Sequence, residues 1–295
     1  MKTIKALIER HPLLSYFTLT FAISWGGFLI VVGGPGGIPG TKEQLETLLP
    51  IALLAMFAGP PVAGVLLTGL LYGRASFRDL LTRMRRWRVG ARWYAVALLL
   101  APLLFTAVPI ALSLTSPAYL PVIFTSDEKA SVLLFGVVAG LAVGIFEELG
   151  WTGFAIPRMR LRYGVLGTGL VVGVLWGAWH ILGNGLWASG VTSGELSLSI
   201  FVPAYLFTFL VGQLPAYRVL MVWVYNRTQE SLLVAMLMHA SLTACSLILT
   251  PPATGAALLI YCLALAAAWW VVVGAVAVAN GWHLTRQRPL RRRVA

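Results

Sequence analysis

The sequence predicts an all-α polytopic membrane protein with about eight transmembrane helices, and three observations carry that prediction. Of the 295 residues, 59% are hydrophobic and only 11% charged, more apolar surface than one water-soluble core can hide. The apolar residues fall into eight separate segments, and the basic residues lie between or beyond them on alternate sides. Residues 1–295 read as a single membrane domain, with no soluble domain, linker or low-complexity tract between the segments.

Each segment is long enough to cross a hydrocarbon layer of roughly 30 Å at about 1.5 Å per helical residue. The first, 13–33, follows Lys2, Lys5 and Arg10 as the apolar part of a secretion signal would. Its run is long and no small-residue cleavage pattern follows, so it is expected to stay as a span. The second, 48–72, precedes seven arginines from Arg74 to Arg92, and the third, 93–115, comes straight after them. The fourth, 131–156, begins past Lys129 and ends at Arg158; the fifth, 164–183, starts past Arg162. The sixth, 199–225, contains Arg218 and stops before Arg227. The seventh and eighth are 231–250 and 255–280, and the tail after them carries Arg286, Arg288, Arg291, Arg292 and Arg293.

Nineteen of the 22 Lys and Arg residues thus fall on one set of alternate connections, against Lys42 and Lys129 on the other. Basic residues near span ends stay cytoplasmic, so a multi-pass cell-membrane protein with both termini in the cytoplasm is expected. This placement also explains the formal charge of +12. The partner of the arginines is the lipid bilayer, not nucleic acid. The stretch FRDLLTRMRRWRVGARW (77–93) is expected to form an amphipathic helix on the anionic leaflet. Cys245 and Cys262 sit in apolar spans as small hydrophobes with no disulfide expected. The sequon at Asn226 falls on the cytoplasmic side, where it would stay unglycosylated.

Ionisable groups are costly inside a bilayer and mark functional positions. Here they are Glu147 and Glu148 in the fourth span, His180 in the fifth, Arg218 in the sixth and His239 in the seventh. Hydrogen-bonding glue between helices is the plainer explanation of any one of them. Gly136, Gly140 and Gly144 form a stripe that leads to Glu148, and Gly169, Gly173 and Gly177 lead towards His180. Such stripes allow close helix contact, and here they are expected to press spans four and five together, bringing the glutamates and His180 to one seam. Counted from the nearest cytoplasmic arginine, Glu147 is about 16 Å deep, His239 about 18 Å and His180 about 27 Å.

A carboxylate can act as general base on water, a histidine can pass protons, and another donor can stabilise an oxyanion. This inventory suits amide hydrolysis without a covalent intermediate. Other protease chemistries fit poorly. His-Glu-x-x-His does not occur, Asp79 and Asp127 are expected in loops, Ser241 is a helix neighbour of His239 and faces away from it, and GVTSG (190–194) has the wrong spacing for a nucleophile elbow. A proton-coupled transporter could also use intramembrane carboxylates, but the span pattern contains no inverted repeat.

The stretches EELGWTGFAIPR (147–158), LWGAWH (175–180) and VYNRTQESLLVAMLMHASLTA (224–244) resemble the CPBP family of intramembrane glutamic endopeptidases, the CAAX prenyl protease and bacteriocin-processing group. The family pattern is Glu-Glu-x-x-x-Arg, an aromatic-x-x-x-His and His-x-x-x-Asn, and the resemblance covers residues 131–250. It implies an endopeptidase with catalytic residues on helices four, five and seven. Glu147 activates water, His180 supports it beside Trp176, and His239 stands at the oxyanion side. The substrate is a peptide or protein that approaches from the membrane or the cytoplasm. Two positions depart: Thr152 stands where the family usually has Arg, and Thr243 where it usually has Asn.

Thr243 keeps one hydroxyl donor for the oxyanion role, whereas Thr152 replaces no cation. Arg218, about 13 Å deep, lies close to the level of Glu148 at about 15 Å, and is expected to be the missing counter-charge. The alternative is an arginine that snorkels to the interface. No cofactor is expected; if a metal such as zinc were used, Glu147, His180 and His239 would hold it. The alternative to an enzyme is a catalytically inactive relative acting as a membrane scaffold or bacteriocin-immunity protein.

Overall fold

The computed structural model describes residues 2–188, 197–281 and 284. The GVTSG stretch and the tail arginines lie outside the described residues. The described residues form helices and turns without a strand, as the apolar spans require, because a helix satisfies its own backbone groups in lipid. A short helix α1 (Lys2–Arg10) leads into α2 (Pro12–Val32), whose proline sits where a helix start has no hydrogen bond to lose. Gly33 ends α2 at φ 86°, a left-handed position favouring glycine.

Helix α3 (Lys42–Met84) opens with a capping box between Thr41 and Gln44. Gly73, at φ 63° and ψ −159°, breaks it where the expected second span ends. The amphipathic helix expected over 77–93 therefore corresponds to the last turns of α3 and stops at Met84. The chain turns through residues 85–90, and Trp93 already belongs to α4 (Ala91–Ser113). Arg83 of this piece points inward instead of into the lipid headgroups: it is 7% exposed and donates to Tyr225 Oη at 2.9 Å and to the Gly153 carbonyl at 3.1 Å. Asp79, expected in a loop, lies in the same helix and pairs with Arg83 at 2.9 Å.

After the short α5 (Val122–Thr125) come α6 (Lys129–Gly150), a π-helical turn (Trp151–Ala155) and α7 (Ile156–Trp179). A second π-helical turn (Ile181–Trp187) follows α7. Then come α8 (Leu198–Tyr205), a third π turn (Leu206–Leu210), α9 (Gln213–Arg227), α10 (Leu232–Leu249) and α11 (Gly255–Ala279). Ser231 caps α10 by accepting from the Val234 N–H at 3.3 Å.

Among the described residues, seven helical stretches are long and apolar enough to cross a membrane. The eight expected spans reduce to seven because Lys129–Trp179 is one helical run of 51 residues holding spans four and five. It is too long for one crossing, and Gly164, at φ 66° and ψ −171°, breaks it.

The glycine stripes have partners other than those expected. Spans four and five do not close on each other. A Cβ on Gly140 would stand 2.6 Å from the Ala240 carbonyl oxygen, and one on Gly144 2.5 Å from that of Met236, so α6 presses on α10. Gly169 and Gly173 instead admit Val219 and Pro215 of α9 at 2.5 Å. A small-residue stripe states that a backbone comes close, not which backbone it is.

Candidate active site

Glu147 and Glu148 occupy the last turn of α6 and are 1% and 0% exposed. Chain neighbours on a helix point about 100° apart, so the two carboxylates enter different surroundings. Glu148 is enclosed. Arg218 of α9 places Nη1 2.8 Å from Oε1 and 3.0 Å from Oε2. His239 of α10 brings Nδ1 to 2.7 Å from Oε1, and Thr152, in the first π turn, donates its hydroxyl to Oε2. Arg218 is itself fully buried, and its guanidinium carbon lies 4.1 Å from the centre of the Trp176 ring. Stacked on an indole and paired with a carboxylate, this cation stays in the interior and does not snorkel.

Glu147 has a different environment. Its Oε2 accepts from the indole N–H of Trp176 at 2.8 Å and of Trp151 at 3.2 Å. Among the described residues no donor engages Oε1. Trp176 also places its carbonyl 2.7 Å from His180 Nδ1 and its ring 4.8 Å from that of His239. A carbonyl only accepts, so His180 carries a proton on Nδ1 and keeps Nε2 for other work. By the same argument, His239 Nδ1 donates to Glu148, leaving its Nε2 unengaged.

A cavity of about 480 Å³ reaches these groups. Glu147, Trp176, His180, His239 and Thr243 line it, with Asn184 and Gln213 further along its wall. Glu148, Arg218 and Thr152 do not line it; they form the layer behind. His180 lies one turn beyond Trp176, at the C-terminal end of α7. The residues converge through Trp176 and the α6–α10 and α7–α9 contacts, in place of the expected seam between spans four and five.

Trp151, Asn184, Gln213 and Arg83 were not among the expected site residues. Trp151 stands four residues after Glu147 and Asn184 four after His180, helical neighbours whose spacing could have suggested them. The π turns carry Thr152 and Trp151, follow His180, and precede α9 with Arg218. Such turns are rare and gather at functional sites.

Among the described residues no three His, Cys, Asp or Glu side chains come together as a ligand group, the set of Glu147, His180 and His239 named from the sequence included.

Residues 129–245 match the family model of type II CAAX prenyl endopeptidase Rce1-like proteins. The chain is also 25% identical over 101 residues to CAAX prenyl protease 2 of Methanococcus maripaludis. That alignment covers 34% of this chain and 35% of the relative. The matched region contains both glutamates, Trp176, His180, Arg218, His239 and Thr243.

Proposed function

We propose, from the match of residues 129–245 to the Rce1-like CAAX prenyl endopeptidase family model, that the chain hydrolyses a peptide bond within the membrane by glutamate-activated water. One observation carries the assignment of roles: of two adjacent buried carboxylates, Glu147 lines the cavity with one oxygen undonated, while Glu148 is enclosed by Arg218, His239 and Thr152.

Two indole donors fix Oε2 of Glu147, so Oε1 is the atom that takes a proton from water. The resulting hydroxide adds to the peptide carbonyl. Charge then develops on the carbonyl oxygen, where His239 Nε2, when protonated, and the Thr243 hydroxyl are the available donors. Collapse of the tetrahedral intermediate needs a proton on the leaving amine. His180, which lines the same cavity with Nε2 unengaged, relays it from Glu147 in this reading, completing hydrolysis with no covalent enzyme intermediate. Glu148 and Arg218 act from behind: the pair holds His239 by Nδ1, setting which nitrogen is left for the cavity.

The test is cleavage of a labelled peptide library by the purified protein in proteoliposomes. Wild type is expected to cleave, and Glu147→Gln to lose about 10²–10⁴-fold in rate while folding normally. No cleavage by wild type would favour an inactive scaffold, and equal cleavage by both would remove Glu147 as the base.

A further inference from the structure

The cavity is built from one end of nearly every helix that borders it. Phe28 comes from the last turns of α2, Met56 from the first half of α3, and Phe105 lies past the middle of α4. Ala139 precedes Glu147 on α6, Ser246 lies in the second half of α10, and Leu258 in the first turn of α11. Each of these lies towards the face away from Arg10, Arg88, Arg158 and Arg227. On the arginine side of the glutamates the packing is closed. Trp151, Phe154, Ile156, Tyr225 and Leu232 are all 0% exposed, and buried Arg83 ties the first π turn to α9.

The lining also has a chemical character. Among the described residues it is mainly aromatic and aliphatic, and Glu147 is the one acidic or basic side chain in it apart from the histidines. An extended peptide brings unpaired N–H and C=O groups into such a space, and each needs a partner. The carboxamides of Gln213 and Asn184 on the wall supply both donor and acceptor. An acidic side chain beside the scissile bond would meet the charge of Glu147 in a poorly screened site.

We propose that substrate reaches Glu147 from the membrane face opposite the arginines, not from the arginine-bearing, cytoplasmic side expected from the sequence, as an uncharged apolar peptide segment, the arginine face being closed to it among the described residues. The statement about substrate rests on the peptidase reading; the direction of access does not. Cysteine accessibility tests the direction. In a Cys245→Ala, Cys262→Ala background, Asn184→Cys and Arg88→Cys are each exposed to a membrane-impermeant charged thiol reagent in sealed right-side-out and inverted vesicles. Asn184→Cys is expected to label in the orientation in which Arg88→Cys does not. Labelling from the same side as Arg88→Cys, from both sides equally, or from neither would overturn it. Thr250→Cys, on the same wall, replaces Asn184→Cys if that variant fails to fold.

The substrate half is tested on wild-type proteoliposomes with paired peptides differing by one Asp next to the cut. The acidic peptide is expected to lose roughly tenfold or more in kcat/KM, as like charges brought together do. Equal cleavage would overturn it. Absence of cleavage of either peptide would sink the peptidase reading and this half with it, while the labelling result stands by itself.

Discussion

Glu147 and Glu148 are adjacent in the chain and face opposite tasks, one against the cavity and one against a buried cation. Removing the cation alone leaves Glu148 uncompensated. Arg218→Met is expected to cost about 3–5 kcal/mol, read as a lower thermal unfolding midpoint in detergent. Arg218→Met combined with Glu148→Leu is expected to recover most of that loss, because an apolar pair replaces a buried ion pair with little penalty. A double-variant loss equal to the sum of the singles would show that the two residues do not act as a pair. Trp176→Phe keeps an aromatic face for Arg218 and deletes one N–H to Glu147. It is expected to lower kcat by roughly 10–100-fold, the worth of a hydrogen bond to a charged group, with KM little changed. The charged members of the site were legible in the sequence because a bilayer tolerates few charges and each must find a partner. Arg218 was legible for that reason even though the local position, Thr152, holds no cation. Trp151 was missed: its place four residues after Glu147 marks it as a helical neighbour, but one of eleven tryptophans in an apolar chain stands out only once Glu147 is taken to need a donor.

At the scale of elements, the glycine stripes and the π turns decide where those side chains arrive. Gly140→Leu would wedge α6 from α10, whose Ala240 carbonyl lies 2.6 Å from where a Cβ would stand. Since α10 carries His239, that variant is expected to lose both stability and cleavage. Gly274→Leu, with nothing within 4 Å of a Cβ, is expected to keep both, as thermal unfolding and peptide assays would show. The stripes were readable as contact surfaces but their partners were not, since Gly, Ala and Val offer the same shape to any helix. Arg83 illustrates a second limit. Charge periodicity assigned it to the lipid surface, but its partners, Tyr225 and the Gly153 carbonyl, are 142 and 70 residues away in the chain. Arg83→Met is expected to destabilise by about 1.5–3 kcal/mol, more than Tyr225→Phe, because it removes charged hydrogen bonds to both elements. Equal effects in thermal unfolding would place the stabilisation in the tyrosine contact alone.

For the whole molecule, the apolar helical stretches could be counted from hydropathy, while the cavity could not be read there, because it depends on which halves of the helices part. Hydropathy is similar along α6 from Phe135 to Val143 whether a residue faces lipid, a neighbouring helix or an empty space. The buried layer beneath the glutamates has a kinetic consequence. Among the described residues the chamber is closed beneath the glutamates, so fragments are expected to leave towards the face by which substrate enters, and no chain to be threaded through the arginine face to a second cut. The protein is therefore expected to make single incisions and to be slowed by its own products. An added product fragment should raise KM and leave kcat unchanged in initial-rate measurements, whereas a fall in kcat at fixed KM would reveal a separate exit.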